Sequence, residues 1–417
     1  MLRDHSRRLD PLVANHQWWS WLPPPPDSMP FLPILGLAAF ASAFSLRVVD
    51  PMLNILAADL QVSLQQVALL ASAFTLPYAA MQLFFGPIGD AVGKVRLIRF
   101  NLSMLAVGLA LSAVATGDGM LLVVRAFSGA FAGGIIPVVL AAVGDRVPFE
   151  KRAEALSRVL LALVLGQLGG SALAGVIAEY AGWRPVFWCA FAVALAAALA
   201  AIFGLTEERT AQPLSFRASL GRYALVLGNP LSKKIYAIVA LEGALIFGAF
   251  PLTAPLLVSH GLGDAKEAGL ALGTFAVGGA FYTFAVSALV RRLGLHGMVR
   301  AGAAAGGFLL MAIATGPSLF LLVPLFGLAG FAFYMIHNVM QILATELAPE
   351  ARGSGMALFA SSFFLGQGLG AIVQAQVAGL IGPATTFLMA GIGMVLVSIP
   401  AGMLPPRTGK VQPPPPL

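Results

Sequence analysis

The sequence predicts an all-α, polytopic membrane protein with twelve transmembrane helices in two pseudo-symmetric six-helix bundles. Three observations carry that expectation. The 417-residue chain is 59% hydrophobic and only 10% charged, whereas soluble domains carry about 25% charged residues. So much apolar surface cannot be hidden in a water-facing fold. Apolar runs recur near 31–57, 66–88, 97–116, 119–143, 156–178 and 184–206, and again near 234–258, 267–290, 297–316, 319–342, 354–377 and 383–404. Each is long enough for the ~20 residues that a bilayer core requires. Finally, the two sets of six resemble each other at an offset of about 200 residues, and duplicated halves meeting at a central site form a transporter architecture.

The positions of the basic residues test the span assignment. With the N-terminus inside, all but four of the 25 Lys and Arg fall in inside segments; the exceptions are Arg47, Arg125, Arg184 and Lys266. This asymmetry predicts both termini in the cytoplasm, and the expected location is the plasma (inner) membrane. It also accounts for the formal charge of +7 without nucleic acid, because the basic residues are dispersed among short loops. The expected organisation is a cytoplasmic tail over 1–30, a first bundle over 31–206, a cytoplasmic linker over 207–233, a second bundle over 234–404 and a cytoplasmic tail over 405–417.

The N-terminal "MLRDHSRRLD" is charged but lacks the apolar region and cleavage site of a signal peptide. Trp18, Trp19 and Trp21 then suit the headgroup level, with Pro23–Pro26 as a stiff spacer, and a disordered tail is the equal alternative. Span 1 contains "FSLRVVDPMLN", where Arg47 and Asp50 stand three residues apart in an otherwise apolar run. Charges at that depth cost on the order of 2.5–3.5 kcal/mol each. On a regular helix they share a face, and Pro51 invites a kink. Two readings stand: a self-neutralised structural pair, or a carboxylate that takes up a proton when a motion separates Asp50 from Arg47 or Arg125.

After span 2 comes "FGPIGDAVGKVRL", where Gly86, Gly89 and Gly93 permit a tight turn and Lys94 and Arg96 hold the loop inside. Span 4 carries Arg125 within "RAFSGAFAGGIIP", and its Gly129 and Gly133 form a G-x-x-x-G packing face. Span 5 has Gln167 in "LGQLGG", and span 11 has Gln367 in the matching "LGQGLG". Arg152 lies opposite Arg352, and "VDPML" (49–53) opposite "AFPLT" (249–253). In span 7, Glu242 has no basic neighbour within a helix turn. Span 10 carries His337 and Asn338 towards its cytoplasmic end. Arg47, Asp50, Arg125 and Glu242 sum to zero and are expected to neutralise one another across a polar cavity. Gln167, Gln367, His337 and Asn338 are candidates for substrate contact, gating or helix pinning. The Phe and Tyr residues are scattered and read as packing.

The loop after span 2 resembles the helix 2–3 signature of the major facilitator superfamily, G-x-L-x-D-R-x-G-R-[RK]. Gly86, Ile88, Asp90, Gly93 and Lys94 fill the pattern, while Ala91 and Val95 stand where the family has basic residues. The resemblance implies that Gly86, Asp90, Gly93 and Lys94 belong to a latch between the halves, loosened here by the missing Arg. "SALVRRLG", with Arg291 and Gly294, is a degenerate second copy. Arg125 and Gly129 are similar to the family's helix 4 motif R-x-x-x-G, in which the arginine is associated with proton coupling. Span 5 departs from the antiporter pattern G-P-x-x-G-G, having Gln167 in place of Pro. The chain looks most like the twelve-span drug and sugar efflux branch.

The implied function is alternating-access transport of a small organic molecule, coupled to protons and directed outwards. A proton-coupled uptake symporter, a uniporter and a non-transporting receptor in the same fold are the alternatives. No nucleotide-binding G-x-x-x-x-G-K-[ST], H-E-x-x-H or G-x-S-x-G occurs, and Cys189 is the single cysteine. No enzyme activity, cofactor, metal or nucleic-acid partner is therefore expected. The expected partners are the small molecule, protons and the lipid bilayer, with the protein a monomer.

Overall fold

The computed structural model describes residues 31–207 and 216–402, and within them every regular element is helical. The two terminal tails, including the Trp and Pro stretches, lie outside the described residues. The first half contains α1 (Phe31–Arg47), α2 (Leu53–Leu60), α3 (Leu64–Val92), α4 (Lys94–Ala113), α5 (Asp118–Ala132), α6 (Ile135–Arg146), α7 (Phe149–Ala181) and α8 (Trp183–Gly204). A connecting helix, α9 (Phe216–Gly228), follows. The second half contains α10 (Ser232–Ile246), α11 (Thr253–Ser259), α12 (Ala265–Ala314), α13 (Leu319–Glu346), α14 (Arg352–Ile381) and α15 (Pro383–Gly402). Two hydrophobic cores divide the chain, one up to Leu205 and one from Val226 onwards, except that Ala265 and Ala375 join the first.

Among the described residues, eleven helical stretches are long and apolar enough to cross a membrane, and one of them, the 50-residue α12, is long enough to hold two spans. Spans 1, 4 and 7 are each interrupted. Proline explains all three, because its ring lacks an N–H and crowds the carbonyl four residues earlier. Pro51 lies four residues after Arg47, where α1 ends; Pro137 four after Gly133, which caps α5; and Pro251 four after Phe247, where α10 gives way to a 3-10 turn. Arg47 and Asp50 therefore do not share a regular helical face: they flank a break, with Asp50 opening a 3-10 turn over Asp50–Met52. Spans 8 and 9 run into each other as α12, parted only at Gly294, whose φ of 66° suits glycine.

The loop after span 2 is tighter than expected. Gly86, Gly89 and Asp90 are all inside α3, and the turn is made at Gly93 alone, with φ of 101°. The linker is also more structured than a simple polar connector. Its α9 packs against α14 and the 349–351 turn, on the side of the second half.

The internal repeat is carried by glycines at close helix crossings. A Cβ on Gly166 or Gly170 of α7 would lie 2.5 Å from the Phe40 or Phe44 carbonyl oxygen of α1. Gly366 and Gly370 of α14 meet Ala240 and Ala244 of α10 in the same way, each 200 positions later. Small residues let such backbones touch, which drives helix association where lipid removes the hydrophobic incentive. Gly129 and Gly133 of α5 likewise press on the Phe74 and Tyr78 carbonyls of α3, so this G-x-x-x-G face is a packing face.

Candidate functional site

Between the halves lies a cavity of about 1060 Å³. Its mouth is at the end where α3 meets α4 and α13 meets α14, and there it is flanked by exposed Asp90, Arg222, Glu350 and Arg352. The opposite end is sealed by contacts between the halves. Asn54 Nδ2 donates to Asp264 Oδ1 at 2.6 Å, and Ser72 Oγ donates to the Gly368 carbonyl at 2.8 Å. Gly175 and Gly269 bring α7 and α12 together so closely that a Cβ on Gly269 would lie 2.5 Å from the Ser171 carbonyl.

The helix break at 48–52 fixes the first charged group. Arg47 Nη1 donates to Asp50 Oδ2 at 3.3 Å, and both side chains are buried. The guanidinium lies over Phe247, 4.5 Å from the ring centre, and 5.2 Å from that of Phe250. Phe247 and Phe250 are the repeat-mates of Arg47 and Asp50 at the 200-residue offset. The charged break of the first half is thus stacked on the aromatic break of the second, a cation–π arrangement. Arg47 Nε has no protein partner among the described residues.

Arg125 reinforces this region from behind. Its Nη1 donates to the Ser45 carbonyl at 3.2 Å, its Nε approaches the Leu70 carbonyl at 3.5 Å, and its guanidinium lies 4.1 Å from the centre of Phe74. Ser45 belongs to the last turn of α1, where carbonyls lack intrahelical donors and the helix dipole favours a cation. The charge of Arg125 also reaches Asp50.

Glu242 departs from the sequence expectation. It does not neutralise the arginines across the cavity; its Oε2 lies 3.2 Å from His337 Nδ1, and its Oε1 has no partner among the described residues. The His337 ring is packed by Phe333, Phe359 and Phe363, with centroids 4.7–4.9 Å away. The four buried charges therefore form two groups: Arg47, Asp50 and Arg125 in the first half, Glu242 with His337 in the second. Of the four, only Arg47 lines the cavity.

Gln167, His337 and Asn338 also line the cavity, whereas Gln367 is buried and does not. Gly86 and Asp90 reach the mouth. Lys94 Nζ bonds Asp145 Oδ2 at 2.5 Å and Asp90 Oδ1 at 3.1 Å, while Glu207 Oε2 accepts from the Arg96 amide at 2.8 Å. These ties stay within the first half, rather than joining the halves as the motif resemblance implied.

Sequence reasoning missed two features. Against the reading of most aromatic residues as packing, Tyr78, Phe247, Phe333, Tyr334, Phe363 and Phe364, drawn from separate spans, converge on the cavity. The repeat offset linking Arg47 to Phe247 was the available signal. The second feature is Tyr223 of α9, whose hydroxyl donates to the Leu83 carbonyl of α3 at 2.7 Å. Leu83 lies four residues before Pro87, so its carbonyl lacks the normal helical donor.

Two six-helix halves around one central cavity, open at one end and sealed at the other, define a membrane transporter fold. The family profile described as Major Facilitator Superfamily matches residues 35–319 and 244–416, and the chain belongs to that superfamily. It is 28% identical over 217 residues to the uncharacterized transporter YgaY of Escherichia coli O157:H7, covering 52% of this chain and 53% of the relative. It is 34% identical over 177 residues to the efflux pump vrtL of Penicillium aethiopicum, covering 42% and 35% respectively. The chain thus spans about half or less of the length of these curated relatives. A crystal structure of the nucleoside transporter NupG superposes with a TM-score of 0.74 at 14% identity, over 88% of this chain and 97% of that one, which establishes the shared fold. The chain is a multi-pass membrane protein of this superfamily.

Proposed function

We propose that the protein exports a small organic molecule by alternating access, coupled to protons through Asp50. The observation that carries this reading is the cavity itself, open beside the basic loops and closed opposite, with Arg47 at its buried end and Asp50 paired behind it. If the basic loops are cytoplasmic, this is a state that loads from inside. Residues 207–233 then form a cytoplasmic linker, both termini are cytoplasmic, and a monomer in the plasma membrane suffices. Rocking of the halves against each other would part the sealed end and close the mouth. Changing the separation of Asp50 from Arg47 and Arg125 would change its hold on a proton. The similarity to an efflux pump supports the outward direction.

Proton-coupled uptake is the second reading, and one observation favours it. Asp50 lies behind Arg47 rather than in the cavity. A substrate that engages Arg47 would release Asp50 to bind a proton in the same state, which is co-transport. Everted vesicles challenged with drugs, sugars and metabolites separate the two. Substrate-triggered proton release from energised vesicles is expected for export, whereas uphill uptake in whole cells without such release would sink that direction. Asp50→Asn should abolish the coupling while the protein still inserts; unchanged pH dependence of transport would make Asp50 structural.

A further inference from the structure

We infer that the cavity selects a planar aromatic molecule carrying one negative charge, such as an aryl or heteroaryl carboxylate. The charged group would lie on Arg47 and the ring against Phe247, Phe333 and Phe363. This rests on the cavity being the transport site, and it holds for either direction of transport.

The distribution of charge carries the argument. The charged residues lining the cavity are Arg47, Asp90, Arg222, Glu350 and Arg352. The last four are exposed at the mouth and comprise two acids and two bases. Arg47 is therefore the one formal charge at the buried end among the described residues. The two carboxylates nearest that end, Asp50 and Glu242, do not line the cavity. An organic cation entering there would be desolvated opposite a guanidinium with no carboxylate to meet it.

An anion finds the reverse. Arg47 and Arg125 share the single carboxylate Asp50, so the buried cluster carries one excess positive charge. Arg47 uses one nitrogen on Asp50 at 3.3 Å, and its Nε has no protein partner among the described residues. A guanidinium presents five donors in a planar fork that matches a carboxylate. The walls set the rest of the shape. Phe247 lies 4.9 Å from Phe333 and 5.2 Å from Phe363, both nearly edge-on to it. A flat ring can stack or pack edge-to-face in such a wall. Gln167 and Asn338 add neutral hydrogen-bonding groups beside it.

The test is calorimetric binding of a matched trio to the purified full-length protein: 1-naphthoate, 1-naphthamide and 1-naphthylmethylammonium. The carboxylate should bind at least about tenfold more tightly than the amide, and the ammonium most weakly, as expected for a charge-assisted bond. Arg47→Gln should weaken the carboxylate by about tenfold to a hundredfold and leave the amide nearly unchanged. Equal or tighter binding of the amide or the ammonium by the unmodified protein would overturn the inference without relying on any variant. So would binding of the carboxylate that is indifferent to Arg47→Gln. Carboxylate binding with no flux of it in either direction would instead overturn the transport reading and leave the selectivity standing.

Discussion

At the scale of single residues, Arg125 has the most demanding position. It is fully buried, yet its partners are two carbonyls and the face of Phe74 rather than a directly bonded carboxylate. Such a group is tolerated because the end of α1 offers orphan carbonyls and Asp50 supplies a nearby negative charge. Lysine would keep the charge but lose the flat stack and the ability to span Ser45 and Leu70. Arg125→Lys should therefore lower unfolding stability in detergent by ~2 kcal/mol, read as a reduced thermal midpoint. An unchanged midpoint would mean that charge alone, without the fork, satisfies this site. Arg47, Asp50 and Arg125 were legible in the sequence because a charge in an apolar run stands out. The partner of Glu242 was not: His337 is 95 positions away on another span, and nothing local fixes how those two helices are rotated.

At the scale of elements, proline placement decides where spans break, but it does so only in context. Pro51, Pro137 and Pro251 end helices, whereas α3 continues through Pro77 and Pro87. The difference at Pro87 lies in what happens to the freed carbonyl. Leu83 is satisfied from outside by Tyr223 of α9, while Asn229, just beyond that helix, donates to the Leu347 carbonyl of the second half at 2.9 Å. The connecting helix is thus tied to both halves. Its polar composition read as linker, and the helix went unseen because its stability depends on those tertiary ties. Tyr223→Phe should cost about 1 kcal/mol. In a Pro87→Ala background the same change should cost almost nothing, since the restored backbone amide at that position then supplies the Leu83 carbonyl. A double-mutant cycle on thermal stability measures this coupling, and simple additivity would refute the account.

At the scale of the whole molecule, the halves have kept their fold and divided their chemistry. Where the first has Arg47 and Asp50, the second has Phe247 and Phe250 at the same offset. The duplication was legible because the close-packing glycines must keep their spacing, whereas the opposition of the two breaks needed three-dimensional placement. The sealed end has a polarity of its own. Burial holds the Asp264 carboxyl above its ordinary value of 3.8, an effect opposed by the Asn54 hydrogen bond and reinforced by Glu179 and Glu267. Lys266 stands nearby, 3.9 Å from Glu267 and 3.4 Å from the Tyr180 hydroxyl. A raised carboxyl is favoured in its neutral form, so its contribution is full at low pH and is lost as pH rises through the raised value. Parting the halves would hydrate Asp264 and remove that preference. The sealed population should therefore fall as pH rises from the ordinary carboxylate range through that raised value. Spin labels at Val176 and Leu270, both exposed on the two sides of this seal, would report it as a growing long-distance component in a Cys189→Ser background. Asp264→Asn retains an acceptor for Asn54 and removes the titration, and it should flatten that response. A pH response that survives Asp264→Asn would refute the assignment to Asp264.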